Sequence, residues 1–458
     1  MQQVYIIICT TFLFGCNQST RQKKADIQPM EQTNFKPVEW AHNTNVYEVN
    51  LRQYTQQGSF NAFAKELSRL KQMGVETLWF MPITPIAQQH KKGSLGSPYA
   101  TSDYTAINPE FGTLDDFKSL VKQAHELGFK VIIDWVANHT GWDHRWTKEH
   151  PEYYKKDSTG NFHTASGMDD IIELDYGNPA LRKAMIDAMA YWVKETGIDG
   201  YRCDLAFWVE LDFWQEARTE LEKTKKLFWL GEFDALEKPE YMQVFDASYS
   251  WTWMHKTEEY YKEKIDLDSL RNILERYDTA GGNNKMKLWF TTNHDENSWN
   301  GTEYEKYGDM AKILAVFSFT WDGIPLIYSG QELPNMKRLK FFEKDVIEWN
   351  GKYLLADFYK TLTDLRKNNA ALRGGDSSVK TFLLHTDHQN STLAFLRKHD
   401  NKEVLVLLNL SKAEVQFTTQ ENMLKGIYTN VFADKATIDL TGKTNFELKP
   451  WEYKVYEK

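Results

Sequence analysis

The chain has 458 residues, 41% of them hydrophobic, enough for a large core and more than one small domain, and it lacks the low hydrophobicity of a disordered chain. Its net charge of -9 offers no electrostatic basis for binding nucleic acid or an anionic lipid surface. Three cysteines are too few for a disulfide framework.

The first residues read as a targeting segment. The apolar run VYIIICTTFLFG at 4–15 has the length of a signal-peptide core and is too short to span a bilayer. It ends in Leu13-Phe14-Gly15-Cys16, which resembles a bacterial lipoprotein signal cut before a cysteine that then carries lipid. On that reading 1–16 is the signal and the membrane is met only through lipid on Cys16. Residues 17–40, polar and without apolar periodicity at their start, are a tether, and the protein sits at the bacterial envelope. Cys9 leaves with the signal, so Cys203 is the one remaining thiol, expected as a small buried residue.

From Asn45 onward short apolar runs alternate with amphipathic helical segments, the pattern of an α/β domain with parallel strands. A strand over 46–54 precedes a helix that Ser59 caps and Gly74 closes, with Phe63, Leu67, Leu70 and Met73 on its buried face. The strand VETLWFMPI at 75–83 follows. Thr113 and Asp116 stand in capping-box spacing at the head of the next helix, which Gly128 ends. The continuous run KVIIDWV at 130–136 suits a strand buried on both faces. Residues 141–175 are too long for an ordinary connection and read as a small excursion domain. Asn178 and Pro179 open another helix and Gly197 stops it. GYRCDL, LFWLGE, VFDASY, KLWFTTNHD and IPLIYSG complete eight strand candidates, which implies a closed (β/α)8 barrel over 41–372. After Gly374-Gly375 the period changes to two, in TLAFLRK, EVLVLLNL and YKVYEK, so 373–458 reads as an antiparallel β domain.

In such a barrel the active site lies at the C-terminal ends of the strands. Asp134, Asn138 and His139 end one strand, Arg202 and Asp204 another, Glu232 a third, and His294 and Asp295 a fourth. Singly, each has an ordinary structural reading as a cap or an ion pair. Together they converge on one pocket. Alternation puts Arg202 and Asp204 on one face, so the cation holds the carboxylate ionised; Glu232 follows an apolar run that raises its pKa. One ionised and one protonated carboxyl suit glycoside hydrolysis, with Asp204 as nucleophile and Glu232 as acid and then base.

The strings DWVANHT, GYRCDLA, GE after LFWL, and TTNHDE, together with SPYATSDYTAINPEFGT and GIPLIYSGQE, resemble the signature regions of the α-amylase family, glycoside hydrolase family 13. The resemblance implies a retaining enzyme acting on α-glucosidic bonds of starch, glycogen or malto-oligosaccharides, with 141–175 as domain B and the last β domain as domain C. It implies that Asp295 is the third catalytic carboxylate and that His139, His294 and Arg202 contact the sugar or orient the nucleophile. It makes Tyr99 the aromatic platform and Asp103 a supporting acid. It implies no cofactor for the chemistry, and through Asn138 a structural calcium. The chain departs from many members at Ser97, at Phe207-Trp208, and at RQYTQQGSF, which lacks the acidic calcium loop of one branch. Two further readings stay open: a transglycosylase or exo-acting oligosaccharide enzyme on the same site, and a non-catalytic glycan-binding lipoprotein.

Overall fold

The computed structural model describes residues 35–165, 167–282, 285–419, 421–433 and 436–458. The expected signal, Cys16 and residues 17–34 of the expected tether lie outside these.

Along the chain the strands are β1 (Val46–Val49), β2 (Thr77–Phe80), β3 (Lys130–Trp135), β4 (His139–Gly141), β5 (Thr164–Ala165), β6 (Met168–Glu173), β7 (Gly200–Cys203), β8 (Phe228–Asp234), β9 (Ala247–Tyr249), β10 (Met286–Trp289) and β11 (Ile324–Tyr328). Eight of them close in the order β1-β11-β10-β9-β8-β7-β3-β2. The pairs around the ring are parallel, as helical crossovers require. β1, β2, β7, β10 and β11 are buried at every residue, so their mainly apolar sequences meet covered faces on both sides, and the charged Glu48, Arg202 and Lys287 within them are buried too. At Gly200 an added Cβ would lie 2.1 Å from Phe228 O, so only glycine lets β7 and β8 pair there.

The helices keep the expected caps, with one interruption. Ser59 caps the first, but it runs as helix Phe60–Phe63, a 3-10 turn Ala64–Glu66 and helix Leu67–Gln72, still burying Phe63, Leu67, Leu70 and Met73. Thr113 and Asp116 form a full capping box on helix Leu114–Glu126. Asn178 caps Pro179–Thr196, and Gly197 closes it at φ 71°. The first two strands are shorter than expected. β1 stops at Val49 because LRQY coils into a buried helical turn, Leu51–Tyr54, in which Arg52 bonds Gly96 O and Glu110 at the barrel rim.

Between β3 and the Pro179 helix, β4, β6 and β5 form a three-stranded antiparallel sheet. Beyond the barrel come β12 (Lys380–Leu383), β13 (Thr392–His399), β14 (Lys402–Asn409), β15 (Val415–Thr419), β16 (Lys425–Asn430), β17 (Thr437–Thr441), β18 (Thr444–Leu448) and β19 (Tyr453–Glu457). Six of these form one sheet whose residues alternate in destination. Leu393, Phe395, Val404, Val406 and Leu408 join the barrel core, where Phe395 meets Trp321 edge-on at 4.9 Å. Ala394, Leu396, Leu405 and Leu407 build a second core with Phe417 and Tyr428. The β region thus shares its inner face with the barrel. Residues 35–40, expected as the end of the tether, also pack on the barrel: Phe35 lies under the Arg218 guanidinium and Trp40 against Phe228.

Candidate active site

The site is built around Arg202 on β7, which has no exposed surface. Its Nη1 donates to Asp204 Oδ1 at 2.8 Å and to Asp134 Oδ1 at 2.9 Å. Its Nη2 lies 2.9 Å from Glu232 Oε2 on β8, a charge contact rather than an aligned hydrogen bond, and its Nε donates to Tyr249 Oη at 3.1 Å. Alternation along β7 accounts for the Asp204 contact. Parallel pairing with β3 and β8 accounts for the other two, since Arg202 stands in register with Asp134 on one side and Leu230 on the other.

After Asp204 the chain turns through Leu205, whose left-handed backbone (φ 41°) is costly for a branched residue. That turn aims the Leu205 N–H at Glu232 Oε2, 2.8 Å away. Burial raises both carboxyls, opposed by Arg202: Asp204 goes to about 6 and Glu232 to about 7. The expectation that Arg202 holds Asp204 ionised is therefore corrected: removal from water is the larger influence, and it pushes the other way. The order survives, with Glu232 holding its proton to higher pH.

A second network joins the strand ends. Tyr99 Oη donates to Asp134 Oδ2 at 2.9 Å and meets His294 Nε2 at 2.8 Å. His294 Nε2 is also 3.3 Å from Asp295 Oδ2, while Nδ1 faces Glu48 Oε1 on β1. Burial disfavours a charged His294, but Asp295 and Glu48 outweigh it and lift the ring to about 9. His139 behaves in the opposite way: burial pushes it down to about 4, so it is neutral, and its Nε2 has no protein partner.

These groups open onto a cavity of about 460 Å³ lined by Tyr99, His139, Asp204, Glu232, His294 and Asp295, that is, six of the ten residues singled out in the sequence. Arg202 and Asp134, paired and without exposed side-chain surface, do not reach it. The other two do not line it. Asp103 turns away to accept from the Thr105 N–H and hydroxyl, with Arg145 3.9 Å off. Asn138 is buried beside His139 Nδ1, and its carbonyl receives the Leu174 N–H, tying β3 to the inserted sheet. Among the described residues no group of three or more His, Cys, Asp or Glu side chains is placed to hold a metal ion. Calcium takes six to eight oxygen ligands, whereas the Asn138 side-chain amide lies 3.3 Å from His139 Nδ1, a nitrogen. Ser97 and Trp208, at two positions where the chain departs from the family pattern, both line the cavity.

The sequence reading did not single out the cavity's rim. Lys92 bridges Asp169 and Asp170 on β6 at 2.9 and 2.8 Å. Phe341 stacks over Tyr99 at 6.1 Å, and Trp299 leans on Phe341 and Phe342. Trp299 belongs to a π-helical turn, Glu296–Asn300, directly after Asp295; such turns often mark functional sites. Its sequence signal was the tryptophan two residues past TTNHDEN.

The model of the α-amylase catalytic domain matches residues 32–167 and 153–347, and that of the maltogenic amylase C-terminal domain matches 382–455. A crystal structure of a noncanonic maltogenic α-amylase from Thermotoga neapolitana superposes with a TM-score of 0.83 at 30% identity, covering 91% of this chain and 98% of that one. Alpha-amylase 2 of Dictyoglomus thermophilum is 24% identical over 87% of this chain and 75% of its own length. A cyclomaltodextrinase of a Bacillus species is 27% identical over 78% of this chain and 66% of its own. With a matching catalytic-domain model over more than half its length, the chain belongs to the α-amylase family, glycoside hydrolase family 13, and is a retaining glycoside hydrolase.

Proposed function

We propose that the protein hydrolyses α-1,4-glucosidic bonds in starch, glycogen or malto-oligosaccharides through a covalent glycosyl-enzyme. Asp204 attacks the anomeric carbon while Glu232 gives its proton to the departing glycosidic oxygen. The Glu232 carboxylate then takes a proton from water, which attacks the same carbon and frees Asp204, so the configuration is retained. The observation that carries this reading is Arg202, one buried cation in contact with both carboxylates. Burial raises both carboxyls and Arg202 opposes the rise, so one can stand ionised beside the other protonated, the division of roles that the two steps need. Asp295 and the unpartnered His139 Nε2 are assigned to sugar hydroxyls, and the Tyr99 ring to the sugar face.

Asp204→Asn tests the assignment. On soluble starch it is expected to lose at least about a thousandfold in kcat, with the α anomer first from the parent enzyme. A β anomer first, or an active variant, sinks the mechanism.

A second reading, exo-attack on short malto-oligosaccharides or transfer to them, is favoured by the rim. The Lys92 bridge and the Trp299–Phe341–Phe342 cluster add bulky side chains to the cavity lining, which suits a short chain. The similar proteins named as a maltogenic α-amylase and a cyclomaltodextrinase point the same way. A single small product from a long linear substrate supports this reading, a ladder supports endo-attack, and products longer than the substrate support transfer. We also propose, on the Leu13–Cys16 box, that lipid on Cys16 holds the enzyme at the bacterial envelope.

A further inference from the structure

Glu48 is a charged residue with no exposed surface in a strand that otherwise reads VY-V, and a buried carboxylate is costly unless it is paired. Its Oε1 meets His294 Nδ1, and its Oε2 has no hydrogen-bond partner. The carboxylate is thus committed to one ring.

The other side of that ring decides its charge. Tyr99 uses its own hydroxyl hydrogen on Asp134 Oδ2, so toward His294 its oxygen is an acceptor and Nε2 must carry hydrogen. Asp295 Oδ2, 3.3 Å from the same nitrogen, asks for that hydrogen too. Nδ1 faces the carboxylate of Glu48 and needs a hydrogen of its own. Both nitrogens protonated is an imidazolium.

We propose that Glu48 is a positioning residue of the active site: from β1 it holds His294 as an imidazolium, oriented with Nε2 toward Tyr99 and Asp295. Nothing in the family match assigns this residue a part. The proposal rests on the reading that Asp295 and His294 face the sugar; there, a fixed cation 3.3 Å from Asp295 Oδ2 holds that carboxylate in place toward the sugar hydroxyls.

The charged groups that face the ring are Glu48 from β1, Asp295 beside it in the chain, Asp134 from β3 through Tyr99, and Arg202 from β7. Arg202 and burial oppose the positive ring, and the carboxylates overcome them. The competing arrangement is a neutral Glu48 carboxyl donating to Nδ1 of a neutral ring, toward which burial of Glu48 pushes.

Nitrogen-15 spectra of the imidazole of His294 in the free enzyme at about pH 7.5 separate the two. An imidazolium pattern is expected in the parent protein, and a neutral ring there overturns the proposal. In Glu48→Gln the ring loses the carboxylate that faces Nδ1 and is expected to be neutral at that pH. In the parent enzyme the alkaline limb of kcat/KM is expected to follow Glu232, whose pKa burial raises. In Glu48→Gln His294 loses its proton first, so the limb moves down by about one pH unit. The activity at about pH 7.5 falls roughly ten- to a hundredfold, the factor that corresponds to one charge-assisted hydrogen bond. The deficit is smaller at pH 5.5, where the ring is protonated in both. A merely structural role lowers activity equally at both pH values and leaves the limb in place, which overturns the proposal, as does an imidazolium that survives in Glu48→Gln. The ring spectrum of the parent enzyme needs no variant to fold and no substrate, so failure of the hydrolytic reading, seen in an active Asp204→Asn, is a separate result.

Discussion

Replacing Arg202 by Gln removes the one cation that three buried carboxylates share while keeping a polar side chain of similar length. Full burial raises a carboxyl by roughly 3 to 5 units. Asp204 stands at about 6 with Arg202 present, from an ordinary 3.8, so without the cation it goes to roughly 7 to 9. At about pH 6.5 its ionised fraction then drops from roughly three quarters to between about a quarter and less than about a hundredth. From ionisation alone, kcat/KM falls by about threefold to a few hundredfold. The distinguishing feature is where the activity goes. Arg202 also opposes the rise of Glu232, so both limbs of the pH profile move to higher pH and part of the activity returns above pH 8. The assay is kcat/KM for a malto-oligosaccharide from about pH 5 to pH 10. A bell that shrinks without moving refutes the reasoning and reduces Arg202 to a structural anchor. Stability supplies a second sign. Asp134, Asp204 and Glu232 have folded pKa values above their unfolded ones, so the native state binds more protons. Their contribution is full below about pH 4 and is lost as pH rises through about 6 to 7. In Arg202→Gln that loss extends further, so the gap in melting temperature to the parent widens from pH 5 to pH 8, toward the roughly 3–5 kcal/mol of a broken buried pair.

Two other outcomes follow from the site and the leader. Melting temperatures in excess chelator and in millimolar calcium are expected to agree within about 1 °C, because no acidic cluster stands at Asn138; a rise of about 4 °C or more with calcium contradicts that description. Labelled fatty acid is expected to enter the protein made in a bacterial host and to be absent from Cys16→Ala, which then leaves the membrane fraction; equal labelling of both chains removes the lipid assignment.

The parts of this protein that were legible in its sequence are those governed by short spacings. The two-residue alternation of β7 placed Arg202 against Asp204, and the contact is there at 2.8 Å. Caps at Ser59, Thr113 and Asn178 involve residues two to three apart and formed as read. The continuous apolar run KVIIDWV announced a strand with both faces covered, and eight strand candidates with helices between them announced a barrel. The C-terminal β region was equally legible as alternation, but that its inner face would join the barrel core through Phe395 and Trp321 was not, since alternation marks two faces without naming what each one meets.

Barrel closure decided the rest. Asp204 sits next to its cation in sequence, whereas Glu232 reaches the same guanidinium only because β7 and β8 pair in register, and the competition between burial and charge there exists only in the folded site. Glu48 and His294 are 246 residues apart and meet because β1 closes the ring with β11, next to β10. Asp103, placed near the site by resemblance, is taken by its own turn at Thr105, and Lys92 and Trp299 gain their place from loops whose course no local spacing records. The sequence alone marked the groups to which the chemistry is assigned here as a proposal, because their types and near spacings are local properties. The tertiary structure decided which of them share a charge, because buried electrostatics acts between neighbours in space and depends on how far each has been withdrawn from water.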